Sequence, residues 1–259
     1  MKLNICHLYP DLLDLYGDRG NILTLAARCR WRGIDTVIQR ASLGDKLDFP
    51  QMDILFIGGG SDREQSLLVQ DLMLRKDDLQ AAIGDGLVVL TICGGYQLLG
   101  LYYQTAEGKK IPGLGILDLW TIAGSQRMIG NVVVELNDRL TPGPGTSAGS
   151  GNQGIPAATL VGFENHSGKT YLGSNLLPLG KVLAGYGNNG EDGTEGVCLG
   201  NVFGTYLHGP LLPKNPAFAD LLLRKALARR GFTAEMEPLD DRIEILAHQA
   251  MLRKLLKKI

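Results

Sequence analysis

One segment, residues 87–97, constrains the fold more than any other part of the chain. Its first six residues form an uninterrupted apolar run of strand length, which is typical of a central parallel strand covered on both faces. Cys93 follows at once, with Gly94 and Gly95 behind it, and the next residues suit a helix. We therefore predict a strand, a tight turn and a helix in direct succession, which is the arrangement of a nucleophile elbow.

Strand and helix patterns alternate through the first half of the chain. Strand patterns lie at residues 3–8, 36–38, 52–57 and 87–92. Amphipathic helix patterns lie at residues 22–31, where Asp18 and Asn21 are candidate caps, and at residues 64–83. This alternation predicts an α/β fold with a doubly wound, mostly parallel sheet.

The pattern changes after Gly113. Short strand patterns at residues 116–121, 131–136 and 160–164 are separated by glycine-rich turns, and they predict antiparallel hairpins added to the sheet. Residues 141–157 are almost all Gly, Pro, Ser and Thr, so we predict an exposed loop there.

Two helix patterns, at residues 216–230 and 240–258, close the chain. A chain of 259 residues can bury one large core. We predict a single domain over residues 1–259, with a core at about 3–230 and a C-terminal helical extension at 239–259.

Charge and composition exclude several classes of protein. The chain has 26 Lys and Arg against 27 Asp and Glu, a net charge of −1, which argues against a nucleic-acid-binding surface. Residues 87–106 carry no charge, but polar residues and glycines interrupt them, so we predict no membrane span. The first residues lack the pattern of a signal peptide, and we expect a cytoplasmic protein.

Cys93 is the candidate nucleophile. The helix N-terminus that follows it supplies free N–H groups and positive dipole, which favour a thiolate and can hold an oxyanion. The alternative is an inert core cysteine. Three further cysteines, Cys6, Cys29 and Cys198, lie in apolar runs or an amphipathic helix, and we predict structural roles for them. The scattered cysteines and histidines predict no metal site.

Of the four histidines, His208 is the best candidate base, because it stands where a strand pattern enters a Gly-Pro turn. His166 is predicted to be a substrate-side or structural group, and His7 and His248 to be structural or solvated.

Three glycines, residues 58–60, follow another strand pattern. We predict an oxyanion hole from the N–H of Gly59 or Gly60 together with that of Gly94, although a plain turn explains a triple glycine equally well. The sequence Gly168-Lys169-Thr170 resembles the end of a phosphate-binding P-loop, but Phe163 stands where that motif needs glycine. We therefore expect no nucleotide site and no cofactor in this chain.

Together these residues resemble the class I glutamine amidotransferases, in particular the CobB/CobQ-like branch. The resemblance rests on Cys-Gly-Gly-Tyr-Gln at 93–97 and Gly-Thr-Tyr-Leu-His-Gly at 204–209. Three further segments, at 8–21, 58–65 and 163–170, resemble the GatD-type glutaminase subunits of lipid II isoglutaminyl synthases. The likeness covers residues 3–230 or so and implies the flavodoxin-like fold of that class.

The resemblance implies that Cys93 attacks the side-chain amide of glutamine and releases ammonia, with His208 as the proton carrier. It implies that Gln97 and Arg127 bind the substrate, and that Asn165 and His166 support these contacts. One departure from the wider class is Pro210, which stands where many members have a glutamate that orients the histidine. Either a Cys–His pair suffices, or another carboxylate or carbonyl orients His208.

The resemblance also implies a heterodimer. Ammonia would pass to a MurT-like subunit of the Mur ligase family, which would bind ATP and Mg²⁺ and amidate the D-glutamate of the lipid II stem peptide to D-isoglutamine. The main alternative is a stand-alone cysteine hydrolase, such as a peptidase or a glyoxalase-like protein. The other is a non-catalytic assembly subunit, and the presence of both Cys93 and His208 counts against it.

Overall fold

The computed structural model describes residues 1–140, 158–233 and 235–256, so the predicted loop at 141–157 lies outside the described residues. The strands are β1 (Lys2–Leu8), β2 (Asp35–Ala41), β3 (Ile54–Ile57), β4 (Val88–Ile92), β5 (Tyr102–Gln104), β6 (Lys110–Pro112), β7 (Leu119–Leu136), β8 (Thr159–Leu172), β9 (Gly180–Ala184), β10 (Thr194–Glu195), β11 (Val197–Leu199) and β12 (Val202–Thr205). The α-helices are α1 (Arg19–Arg30), α2 (Asp62–Leu74), α3 (Lys76–Gly84), α4 (Gly94–Leu98), α5 (Pro216–Arg229) and α6 (Arg242–Leu256).

The first sheet has the strand order β11-β12-β4-β3-β1-β2. Every neighbouring pair is parallel except β11 and β12. From β2 to β12 this is the flavodoxin-like order, and a ligand site in such a sheet lies beyond the carboxyl ends of the strands. The predicted doubly wound α/β fold is confirmed, and β3 and β4 are buried along their whole length.

A second sheet, of order β10-β9-β7-β5-β6 with β8 paired to β7, is antiparallel except for β5 and β7. The antiparallel addition is thus confirmed, but its predicted division into short hairpins is wrong. β7 continues from Leu119 to Leu136, through glycines that the sequence pattern indicated as turns. The strand changes register between Ala123 and Met128 and then pairs again with β8, so the β8 ladder holds both halves in one strand.

The predicted helix at 64–83 is two helices, α2 and α3, which meet at Arg75. Arg75 donates to both carboxylate oxygens of Asp71 and to the Asp45 carbonyl. These bonds hold the junction residue to α2 and to the loop at Asp45, and neither proline nor glycine marks the junction in the sequence.

One hydrophobic core joins the two sheets, since buried residues of β4, β7 and β8 belong to the same cluster. A smaller cluster joins Leu252 of α6 to Val133 and Val161 of the second sheet. Among the described residues, no helix has the length and apolar character needed to cross a lipid bilayer.

A buried guanidinium connects α1 to the C-terminal part of the chain. Arg28 is 2% exposed and bonds both carboxylate oxygens of Asp220 in α5 and of Asp241 just before α6, at 2.6 and 2.8 Å. The two carboxylates raise the pKa of Arg28 against the opposing effect of burial. Arg28 thus ties α5 and α6 to α1, and Arg32, just after α1, adds a second bond to Asp220 at 2.7 Å.

We expect Arg28→Ala to lower the free energy of unfolding by about 3 kcal/mol, because it leaves Asp241 without its guanidinium partner and Asp220 with Arg32 alone. Urea unfolding measures the change. Arg40→Ala is the control: Arg40 is 57% exposed and 3.4 Å from Asp11, and its loss should cost less than about 1 kcal/mol. Equal effects of the two substitutions would contradict the role given to Arg28.

Candidate active site

Cys93 lies in a sharp turn between β4 and α4. Its φ of 47° and ψ of −105° lie in a region that residues with a side chain rarely adopt. A Cβ on Gly95 would lie 2.7 Å from the Ile57 carbonyl oxygen, and one on Gly94 would lie 2.8 Å from the Gly60 carbonyl oxygen. Only glycine therefore fits at positions 94 and 95. The predicted succession of strand, turn and helix is confirmed.

His208 lies three residues beyond the end of β12, and its side chain is fully buried. Backbone bonds with Phe163 of β8 hold it on both sides: His208 N–H donates to the Phe163 carbonyl at 2.7 Å, and Phe163 N–H donates back at 3.3 Å. The second sheet thereby fixes the position of a residue that the first sheet supplies.

Asp18 supplies the carboxylate that faces His208. Its Oδ1 lies 3.4 Å from Nδ1 of His208, and its Oδ2 accepts the Gly59 N–H at 2.8 Å. The sequence pattern predicts Asp18 as a helix cap and does not identify the group that orients His208. Asp18 does occupy the N-cap position of α1, but its side chain makes no capping bond there.

Gly59 lies at the centre of these groups. A Cβ on Gly59 would lie 2.8 Å from Cε1 of His208, 3.3 Å from Oδ2 of Asp18 and 3.4 Å from Cβ of Cys93. A single position, that of a Cβ on Gly59, therefore lies within 3.4 Å of all three side chains. The structure brings Cys93 and His208 together at the carboxyl edge of the first sheet, as their positions in the sequence predicted.

The side chains of Asp18 and Cys93 favour the protonated form of the His208 imidazole. Burial alone would lower the pKa of His208, but the Asp18 and Cys93 side chains raise it to about 10. Nε2 of His208 is buried and has no hydrogen-bond partner among the described residues, so it is free to exchange a proton with the nearby sulfur. An imidazolium beside a cysteine stabilises the thiolate, which is the reactive form.

The three remaining thiols lie in different surroundings. Burial raises the pKa of Cys6 and of Cys29 to about 12, and it also raises the pKa of Cys198. The thiolate of each is therefore scarce at neutral pH, in accordance with the structural roles predicted for them.

The glycines predicted to form an oxyanion hole differ in their bonds. The Gly59 N–H already donates to Oδ2 of Asp18, so in this arrangement it does not donate to an oxyanion. Gly59 instead holds the Asp18 carboxylate and, having no Cβ, leaves room for the His208 ring. The nitrogen of Gly60 lies 2.9 Å from the point where a Cβ on Gly94 would stand. Gly60 therefore adjoins Gly94, the residue after Cys93, and the oxyanion role of these two glycines stays a prediction.

Gln97 belongs to a buried chain of hydrogen bonds. Its Oε1 accepts from Nε2 of Gln65 at 2.8 Å, and its Nε2 donates to the Tyr206 hydroxyl at 2.9 Å. Tyr206 continues the chain to Thr170 at 2.7 Å. Since both ends of the Gln97 amide are occupied by protein groups, its geometry supports α4 against β8, and direct contact with a substrate stays a prediction.

His166 is buried directly behind this chain. Its ring stacks on Tyr206 with 3.6 Å between centroids, and its Nδ1 lies 2.8 Å from the Gly168 carbonyl oxygen. The sequence Gly168-Lys169-Thr170 lies within strand β8 and not in a loop before a helix, which agrees with the exclusion of a P-loop.

Arg127 and Asn165 lie on the neighbouring strands β7 and β8 of the second sheet. Nε of Arg127 donates to Oδ1 of Asn165 at 2.5 Å, and Nδ2 of Asn165 donates to the Tyr16 hydroxyl at 2.6 Å. The Tyr16 ring in turn lies 4.9 Å from that of His208. Arg127 is exposed, so its guanidinium is accessible to an anionic group near the site.

Glu195 is a buried residue near the site that no sequence motif marks. Its Oε1 accepts from the Thr205 hydroxyl at 2.6 Å and from the Tyr206 N–H at 2.7 Å, and burial raises its pKa to about 7. These bonds hold the end of β12, from which His208 follows. In the described part of the chain, His, Cys, Asp and Glu form no group suited to a metal ion.

Comparisons with known proteins agree with this geometry. Residues 4–216 match the CobB/CobQ-like glutamine amidotransferase domain. The chain is 43% identical to the GatD subunit of the glutamine-hydrolysing lipid II isoglutaminyl synthase of Staphylococcus aureus (strain N315), covering 97% of this chain and 95% of the relative. The corresponding subunit of Streptococcus pneumoniae (strain ATCC BAA-255 / R6) is 41% identical, over 88% of this chain and 82% of the relative.

A more distant relative shares only part of its length. The probable cobyric acid synthase of Methanothermobacter thermautotrophicus is 31% identical over 68% of this chain and 33% of the relative. The elbow cysteine, the buried histidine and the matched domain lead to one conclusion: the chain belongs to the CobB/CobQ-like glutamine amidotransferase family.

Proposed function

We propose that this chain is a glutaminase subunit that hydrolyses glutamine to glutamate and ammonia. The observation that carries the proposal is the grouping of Cys93, His208 and Asp18 around Gly59. Its chemistry suits attack on an amide, and two relatives that match most of this chain are named as glutamine-hydrolysing subunits.

In the proposed reaction the Cys93 sulfur attacks the side-chain amide carbon of glutamine. The oxygen becomes an oxyanion, for which the N–H groups of Gly60 and Gly94 are the candidate donors. His208 gives its proton to the nitrogen, the C–N bond breaks and ammonia leaves. A γ-glutamyl thioester remains on Cys93, and a water molecule that His208 deprotonates hydrolyses it to glutamate.

Asp18 acts through His208 in this scheme. It holds Nδ1, so that Nε2 is the nitrogen that exchanges protons, and its negative charge favours the imidazolium. Arg127 is the candidate receptor for the α-carboxylate of glutamine, because a guanidinium bonds a carboxylate through two parallel hydrogen bonds.

We further propose that the ammonia passes to a MurT-like subunit of the Mur ligase family. That subunit would bind ATP and Mg²⁺ and amidate the D-glutamate of the lipid II stem peptide, so the heterodimer would serve peptidoglycan synthesis. Lipid II would be reached through the partner, and the complex would work in the cytoplasm, where ATP is available. The names of the two similar subunits support this assignment.

Cys93→Ala should reduce glutamine hydrolysis to background, because no other thiol replaces the nucleophile at the elbow. Glutamate release, measured with a coupled dehydrogenase assay, tests this. Cys198→Ala is the matched control, since Cys198 lies in β11 away from the elbow, and it should keep wild-type activity. Full activity in Cys93→Ala would remove the nucleophile assignment, whereas a wild type that releases no glutamate would favour a non-catalytic assembly role.

Asp18→Asn should lower kcat for glutamine at least about tenfold, since the amide holds the imidazole without its charge. The pKa of His208 is raised partly by Asp18, so losing this charge lowers it. Activity needs the imidazolium, and the alkaline limb of the kcat–pH profile should therefore move to lower pH. Asp14→Asn, an exposed carboxylate of the same segment, should leave the profile in place; a similar shift there would refute the specific role of Asp18.

Co-expression with a Mur-ligase-like subunit should yield a stable complex that amidates lipid II with glutamine and ATP, as measured by mass spectrometry of the product. The complex that carries Cys93→Ala should still assemble and should use ammonium chloride but not glutamine. A chain that purifies alone and hydrolyses peptides faster than glutamine would instead be a stand-alone cysteine hydrolase.

A further inference from the structure

Tyr16 connects the imidazole of His208 to the Asn165–Arg127 pair of the second sheet through its side chain. It lies on the segment between β1 and α1, and its ring packs edge-to-face with His208, at 4.9 Å between centroids and 70° between planes. The hydroxyl group accepts a hydrogen bond from Nδ2 of Asn165, whose Oδ1 accepts from Nε of Arg127. A continuous set of contacts thus runs from the imidazole to the guanidinium.

The backbone of Tyr16 adopts a conformation that tyrosine does not favour. Its φ of 55° and ψ of 25° lie in the left-handed region, which residues with a bulky side chain seldom occupy. Burial does not explain the conformation, because the side chain is 44% exposed. Strained positions of this kind persist where surrounding contacts determine them, and they are concentrated at functional sites.

The contacts of Tyr16 also bridge the two sheets. Asn165 and Arg127 belong to β8 and β7, whereas His208 follows β12 of the first sheet. A third ring, Phe163 of β8, lies 6.2 Å from Tyr16. A side chain from the β1–α1 segment is therefore fastened to the second sheet at the point where the second sheet meets His208.

We propose that Tyr16 is a positioning residue that sets the arrangement of Arg127 relative to His208. Its hydroxyl group holds the Asn165–Arg127 pair, and its ring holds one side of the imidazole and covers it from water. The inference rests on the proposed function, in which Arg127 receives the substrate carboxylate and His208 moves the proton.

The two parts of the side chain should have separable effects. The hydroxyl group acts on Arg127 through Asn165, so its loss should weaken substrate binding. The ring acts on His208, so its loss should slow the chemical steps as well. Substitution by phenylalanine removes the first contact and keeps the second, whereas alanine removes both.

The experiment uses the full chain, alone and with its co-purified partner, in four forms: wild type, Tyr16→Phe, Tyr16→Ala and Tyr186→Phe. Tyr186 is the matched control, a tyrosine that is 40% exposed and outside the contacts described for the site. Steady-state glutamine hydrolysis gives kcat and KM. The rate at which iodoacetamide alkylates Cys93, followed by mass spectrometry, reports on the Cys93–His208 pair without any need for glutamine.

Tyr16→Phe should raise KM about fivefold to tenfold with kcat within about twofold of wild type, the effect of one lost hydrogen bond in a binding contact. Tyr16→Ala should raise KM similarly, lower kcat at least about tenfold and change the alkylation rate of Cys93 severalfold. Tyr186→Phe should match wild type in kcat, in KM and in the alkylation rate of Cys93. Thermal melting confirms that each variant is folded, and Tyr16→Phe still decides the hydroxyl's role if the alanine variant does not fold.

Unchanged KM in Tyr16→Phe, or kcat and alkylation rates in Tyr16→Ala equal to those of wild type, would overturn the proposal. Failure of the proposed function has another signature, because wild type and Tyr186→Phe would then both fail to hydrolyse glutamine. In that case the alkylation rates of Tyr16→Ala and Tyr186→Phe still decide whether the ring acts on His208: equal rates would overturn that role, and a slower or faster rate in Tyr16→Ala alone would support it.

Discussion

The site depends on the contacts of the Asp18 carboxylate with His208 and Gly59. One oxygen accepts the Gly59 N–H and the other faces Nδ1 of His208, so a single buried group fixes the loop after β3 and the imidazole after β12. The imidazolium and the carboxylate compensate each other where both side chains are fully buried and an unpaired charge would be costly. The charge of Asp18 therefore contributes both to the shape of the site and to its chemistry.

The second sheet gives this arrangement its rigidity. β8 bonds the backbone of His208 through Phe163 and the side chain of Asn215 through Val161, and it carries Asn165 toward Tyr16. The nucleophile, the base and the carboxylate come from the parallel sheet, and the antiparallel sheet closes over them. The site lies where the two sheets meet, at the carboxyl ends of β3, β4 and β12, as expected for an open parallel sheet.

Sequence patterns predicted some of these features better than others. The run before Cys93 and the glycines behind it have one physical solution, a buried strand that turns sharply into a helix, and the structure has that turn. The local pattern around Asp18 predicts a helix cap and contains nothing that points to a contact with His208. Its contact with His208 joins residues 190 positions apart, and no local periodicity contains such a pair. The same limit applies to β7, where local glycines indicated turns but pairing with β8 keeps one long strand.

The amino-acid sequence is enough to predict the alternation of strands and helices in the first half of the chain, the turn at Cys93 and the placing of Cys93 and His208 at one sheet edge, because each depends on residues adjacent in the chain or on the common edge of a parallel sheet. The tertiary structure alone decided which carboxylate faces His208, which glycine N–H is already engaged and how Tyr16 joins Arg127 to the imidazole. These contacts form between distant segments, and their geometry arises only when both sheets and their shared core are packed together.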